Sequence, residues 1–127
     1  MKFLTFFTIV AILGALFTLS FLIAPVETAG NYGAHLDAAG VSMARLFGAA
    51  LGGLSIGAWI VRKQDPASIA ARAAIWGSMF FNSVSLVFIT LNVLKGVENS
   101  LAWSSVAINA LILIGLFFFL SKKAAVA

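Results

Sequence analysis

Long apolar runs alternate with short polar breaks along this chain. Positions 3–24, 46–61, 73–94 and 101–120 are apolar, and the stretches between them hold most of the charges and turn formers. A helix rises ~1.5 Å per residue, so roughly 20 apolar residues cross a hydrocarbon core of about 30 Å. The run 46–61 is too short alone and needs its flanks. With them, the pattern predicts spanning helices at about 3–24, 40–62, 68–95 and 100–121. Short connections set successive spans antiparallel. The expected fold is therefore an all-α integral membrane up-down four-helix bundle, a single transmembrane domain over 1–127.

The first run is longer than the ~7–15-residue apolar region of a secretory leader, so a retained helix ending at Pro25 is expected. Phe3, Phe7, Phe17 and Phe21 share one of its faces, and Thr5, Thr8, Ala15 and Thr18 mark a smaller, more polar one. The Phe ridge is expected to meet lipid and the Thr/Ala face to meet protein. Asn31-Tyr32-Gly33 reads as a turn in the outer loop, and Asp65-Pro66-Ala67-Ser68 as the start of the third span.

The second span carries two GxxxG pairs, Gly48 with Gly52 and Gly53 with Gly57. Small residues let backbones approach, and dispersion then replaces the hydrophobic drive that lipid removes. The pairs lie on adjacent faces, about 100° apart, so this helix is expected to touch more than one neighbour. Arg45 falls on the stripe of Gly48, Gly52, Ser55 and Trp59, hence on the expected close-packing face. In the third span Ser78, Asn82, Ser85 and Asn92 form one polar stripe, and Ser105 and Asn109 share a face of the fourth. Asn82 and Asn109 fall near mid-membrane, where facing amides form an interhelical hydrogen bond of about 0.6 kcal/mol. Arg45, Ser78, Asn82, Ser85, Asn92 and Asn109 make up the candidate polar or ligand cluster.

Composition agrees with a membrane setting: 62% of residues are hydrophobic and 9% charged, and the mean hydropathy is +1.10. A soluble domain carries about 25% charged residues. Lys2, Arg62, Lys63, Arg72, Lys122 and Lys123 collect at the N-terminus, the second loop and the C-terminus, whereas Glu27, Asp37 and Glu98 lie in the other two loops. The positive-inside rule then places both termini in the cytoplasm of a bacterial-type inner membrane. Cations at headgroup level point to lipid and not to nucleic acid. Absence of cysteine excludes thiolate catalysis, iron–sulfur clusters and Cys-based zinc sites. His35 is the only histidine, so a bis-histidyl haem cannot form within one chain, and no metal or resident cofactor is expected.

Small multidrug transporters depend on a membrane carboxylate in their first helix, and no predicted span here contains one. Fluoride channels carry GG-xx-GA-xx-R; Gly52-Gly53, Gly57-Ala58 and Arg62 are one residue too widely spaced in each gap. The layout of Pro25, Tyr32-Gly33, Arg45 with Phe47-Gly48, Trp59 with Arg62, and Asn82 resembles uncharacterised DoxX-like small four-helix bacterial membrane proteins. That resemblance implies a bundle and assigns no reaction. With no acid/base pair or nucleophile constellation, the first expectation is a non-enzymatic accessory or scaffolding subunit, packed against larger membrane proteins or in a homo-oligomer. The alternatives are a protein that binds a quinone, pigment or lipid, and an oligomeric small transporter or channel.

Overall fold

The computed structural model describes residues 2–121, and Lys122 and Lys123 of the charge argument lie outside the described residues. Five helices follow in order: α1 Phe3–Ile23, α2 Pro25–Asn31, α3 Ala38–Val61, α4 Ile69–Leu94 and α5 Ala102–Leu120. No strand occurs among the described residues. All but α2 are long and apolar enough to cross a bilayer, which defines a multi-pass membrane protein. Large side chains such as Leu16, Ile23, Phe80 and Leu111 stay exposed. They suit hydrocarbon and would be costly in water.

Local chemistry sets the helix ends. Asp37 Oδ1 accepts the Gly40 amide at 2.7 Å and caps α3; Ser68 Oγ accepts the Ala71 amide at 3.2 Å and caps α4. Pro25 ends α1 as expected, but it also opens a short helix that the pattern did not foretell. It stands at the first helical position of α2, where its missing N–H costs nothing. Gly33, at φ +83°, then turns the chain back, a conformation that side chains with a Cβ disfavour.

Helix α1 packs along α3, and α4 packs along α5; the two pairs meet each other much more lightly. One end of the assembly is dense. There the start of α1 meets the last turn of α3, the first turns of α4 and the end of α5, through Phe3, Phe6, Phe7, Val61, Ile75, Met79, Leu116 and Phe119. Phe3 and Phe119 pack edge-to-face at 5.2 Å, and Phe6 lies 5.3 Å from Phe119. Gly115 gives Phe6 its seat, since a Cβ there would collide with the ring.

The Phe ridge of α1 therefore faces protein, not lipid: Phe3 and Phe7 are buried, and Phe17 and Phe21 are partly so. Of the smaller face, Thr5 and Ala15 are exposed, while Thr8 and Thr18 are half-buried and Thr18 meets α3 at Gly52 as expected. Lipid is as apolar as a phenyl ring, so hydrophobicity cannot choose between these faces. Shape chooses instead, and large rings fill the wide end between helix pairs. Phe7→Ala is expected to cost about 3 kcal/mol, at the low end of soluble-core values because the transfer-from-water part is missing. Unfolding of the solubilised protein in a denaturing detergent measures it, and a loss below about 1 kcal/mol would contradict the packing described.

Of the two GxxxG pairs, the structure uses one. A Cβ on Gly48 would stand 3.0 Å from Phe21 Cβ and 3.3 Å from the Thr18 carbonyl; one on Gly52 would stand 3.0 Å from Thr18 Cγ2. Nothing lies within 4 Å of a Cβ built on Gly53 or Gly57. The packing role expected of Gly53 and Gly57 is therefore not met at their Cβ positions within the chain. Helix α3 does touch more than one neighbour as expected: α1, α2 and α4.

Candidate functional site

Above the dense end the two helix pairs separate around a cavity of about 310 Å³. Its walls are mostly apolar: Val10, Leu13, Phe17 and Phe21 from α1, Phe47, Leu51 and Leu54 from α3, Phe81 and Ile89 from α4, and Ile108 and Ile112 from α5. Ser55, Ser78, Asn82, Ser85 and Asn109 interrupt them, and Tyr32 and Glu98 contribute at the loop end. The residues around α2 cover that end. Asn99 holds them down, its amide donating to the Tyr32 carbonyl at 2.7 Å and its Nδ2 to the Asn31 carbonyl at 2.9 Å. Ser105 Oγ lies 3.5 Å from the Tyr32 hydroxyl.

The polar groups are arranged unusually for membrane helices. Thr8, Thr18, Ser20, Ser55 and Thr90 all donate to the carbonyl four residues back, which satisfies a hydroxyl without a partner helix. Ser78 and Ser85 do not. Asn82 Nδ2 donates to the Ser78 carbonyl and Asn109 Nδ2 to the Ser105 carbonyl, each at 2.7 Å. The expected Asn82–Asn109 hydrogen bond is therefore absent, and each amide is tethered to its own helix. Both belong to the close α4–α5 pair and line the same cavity, and each spends an amide hydrogen on the carbonyl four residues back.

The Oδ1 atoms of both asparagines and the hydroxyls of Ser78 and Ser85 make no hydrogen bond to a described residue. Every fully enclosed side-chain polar atom among the described residues does have a partner. These atoms therefore keep some accessible surface, and all four residues line the cavity. Ser78 and Asn82 do so while only 6% exposed each. A polar atom held in an apolar chamber without a partner loses ~1–3 kcal/mol relative to a satisfied one, so the arrangement favours anything that supplies the bond.

Charge is sparse here. Glu98 is the acidic residue of the lining, no basic residue belongs to it, and Glu98 Oε1 accepts from Asn92 Nδ2 at 2.8 Å. Arg45 is not part of the site. It is exposed, pairs with no described residue and lines no wall of the cavity, contrary to its expected place on the close-packing face. Gly48 already meets Phe21 and Leu22, and α1 ends at Ile23, so one turn nearer the start of α3 the partner helix α1 has run out. Asn92 likewise leaves the cluster to bind Glu98, because the turn after α4 folds Glu98 back and its amide donates to the Asn92 carbonyl at 3.3 Å. Ser78, Asn82, Ser85 and Asn109 are thus brought together around this cavity; Asn92 lines a neighbouring cleft with Ser85, and Arg45 lines neither.

Tyr32, Glu98 and the rings of Phe17, Phe21, Phe47 and Phe81 were not singled out as site residues from the sequence. The Tyr32-Gly33 turn was a usable signal, since it returns the chain over the bundle end; the phenylalanines offered none. His35 is exposed, and no group of three His, Cys, Asp or Glu side chains suited to a metal occurs among the described residues.

The chain matches no family model, no curated protein and no solved structure. Its own residues carry the functional reading.

Proposed function

We propose that this multi-pass protein holds a small lipophilic molecule between its two helix pairs and does so without catalysing a reaction on it. The supporting observation is the pair Ser78 and Asn82, nine-tenths buried and lining a chamber of mostly apolar walls, with polar atoms that no described residue bonds. Few precisely placed polar groups in an apolar pocket of ~300–1,000 Å³ are what small-molecule sites look like. The cavity is about 310 Å³. That is about twice the ~150 Å³ that accepts benzene, so a head of one or two rings, or of glyceryl size, fits.

The lining selects for neutral heads that carry carbonyl or hydroxyl groups. An anionic head would enter a low-dielectric space that offers it no cation and holds Glu98. The protein extracted in mild detergent, washed and analysed by mass spectrometry of its organic extract is expected to release a neutral amphiphile in near-stoichiometric amount. An empty extract, with no binding of added monoacylglycerol or benzoquinone, would sink the reading. In direct titration an oleoyl monoglyceride is expected to bind at least about tenfold more tightly than oleate at pH 9. Equal affinities would refute the neutral-head preference.

The reading includes an up-down bundle in a bacterial-type inner membrane, with termini and the α3–α4 loop in the cytoplasm, supported by the charge distribution. A layout like that of DoxX-like proteins belongs to it as a likeness of arrangement. A second reading, an accessory subunit docked on a larger membrane protein or on another copy, draws on Gly53 and Gly57, where a built Cβ would meet nothing within 4 Å. The transporter or channel alternative has no comparable observation behind it.

A further inference from the structure

A second cavity of about 480 Å³ lies between α3 and α4, on the outer flank of the first. Phe47, Leu54, Phe81, Ser85 and Ile89 line both spaces, so the two are separated only by these side chains. The far wall of the second cavity is lipid-facing: Phe80 is 75% exposed and Phe88 61%. On the shared wall, Phe47 and Phe81 stack with ring centroids 5.9 Å apart and planes at 25°. Phe47 also packs edge-to-face on Phe21 at 5.1 Å. Ring contacts of this kind are worth ~0.5–1.5 kcal/mol each, and side-chain rotation can part the Phe47–Phe81 pair. Helices α3 and α4 are joined at the dense end and pack less closely than α1 on α3 or α4 on α5.

We infer that this cleft is the lateral doorway of the inner chamber and the seat of the ligand's tail. The ligand is then a neutral amphiphile whose carbonyl or hydroxyl head reaches Ser78, Asn82 and Asn109, while one long apolar chain passes the Phe47–Phe81 pair and lies in the α3–α4 cleft. This rests on the proposed ligand-binding role and adds its direction of entry and its tail. Size supports it. The inner space takes a ring or two but not a long chain, and the outer cleft is mostly apolar and shares five lining residues with it. Chemistry supports it as well, since a tail in the cleft remains beside lipid and only the head must leave the bilayer for protein. Entry from the loop end would instead carry the whole apolar chain past the covering residues 29–34 and Glu98.

The cleft can be filled without touching the chamber. Gly77 and Val84 line only the outer space, and nothing lies within 4 Å of a Cβ built on Gly77. The full-length protein in detergent would be titrated, by native mass spectrometry, with octanoyl and oleoyl monoglycerides and with a short- and a long-tailed benzoquinone. In Gly77→Phe the long-tailed probes are expected to lose about tenfold in affinity and the short-tailed ones to lose none. Val84→Trp is expected to do the same, and serves if Gly77→Phe does not fold by circular dichroism. Phe81→Ala is expected to speed uptake of the long-tailed probes. Which head class binds more tightly separates a quinone from a glyceride ligand. If the unaltered protein binds short and long probes but neither plug discriminates between them, the doorway is wrong while the chamber stands. If it binds no neutral probe at all, the chamber reading itself has failed.

Discussion

Asn82→Leu is expected to lower affinity for the neutral amphiphile about ten- to a hundredfold while the helix bundle keeps its stability. Asn82 Nδ2 donates to the Ser78 carbonyl, which as a helical carbonyl retains a backbone N–H after the substitution. No buried group is orphaned within the protein, and leucine is close to asparagine in size. What disappears is the free Oδ1 and the second amide hydrogen facing the cavity. A head group that has left water or the lipid interface then finds one bond fewer, and its own polar atom goes unpaired. That asymmetry makes the loss in binding large and the loss in stability small. Isothermal titration with a monoacylglycerol beside a thermal melt by circular dichroism measures both. Unchanged affinity with intact structure would remove Asn82 from the site; a parallel fall in melting temperature would mean that its role is structural.

The largest effect on folding is expected from Gly48→Leu, compared with Gly53→Leu. The first drives an isobutyl group into Phe21 and into the Thr18 carbonyl of α1, which is backbone and cannot rotate away. Overpacking of this kind costs ~1–3 kcal/mol and at times more, and here it parts the tightest helix pair in the molecule. The second places the same group in open space, on a surface suited to lipid, where effects stay within about 0.5 kcal/mol. Denaturing-detergent titration of the two variants against the unaltered protein reads the difference. Equal losses would show that the Gly53 surface is also engaged. If Gly53→Leu kept full stability but lost a co-purifying membrane protein, the accessory-subunit reading would gain its first direct support.

These two glycine pairs show where the limit of legibility fell. In the sequence they are equivalent motifs five residues apart on the same helix. Only the path of α1 across α3 decides that Gly48 and Gly52 are covered and Gly53 and Gly57 are not. The Phe ridge failed for a related reason: its periodicity was plain, but in lipid an apolar ridge carries no sign saying which way it points. Arg45 was misplaced because helical spacing alone does not reveal where the neighbouring helix ends. The polar stripe of α4 was readable, since serine and asparagine are rare enough inside apolar spans to stand out, and Ser78, Asn82 and Ser85 do line one space with Asn109. That the asparagines bind their own helices, and that the two helix pairs leave a chamber beside them, was not readable.

Amino-acid order settled the number and extent of the long helices, because span length and apolarity answer to the fixed thickness of a bilayer, and it settled the caps and turns, which are local chemistry of Asp37, Ser68 and Gly33. Tertiary structure decided which faces meet, where the bundle is dense and where it is hollow. Those choices depend on the fit between surfaces of nearly equal hydrophobicity, and fit is a property of two helices together and not of either run of residues.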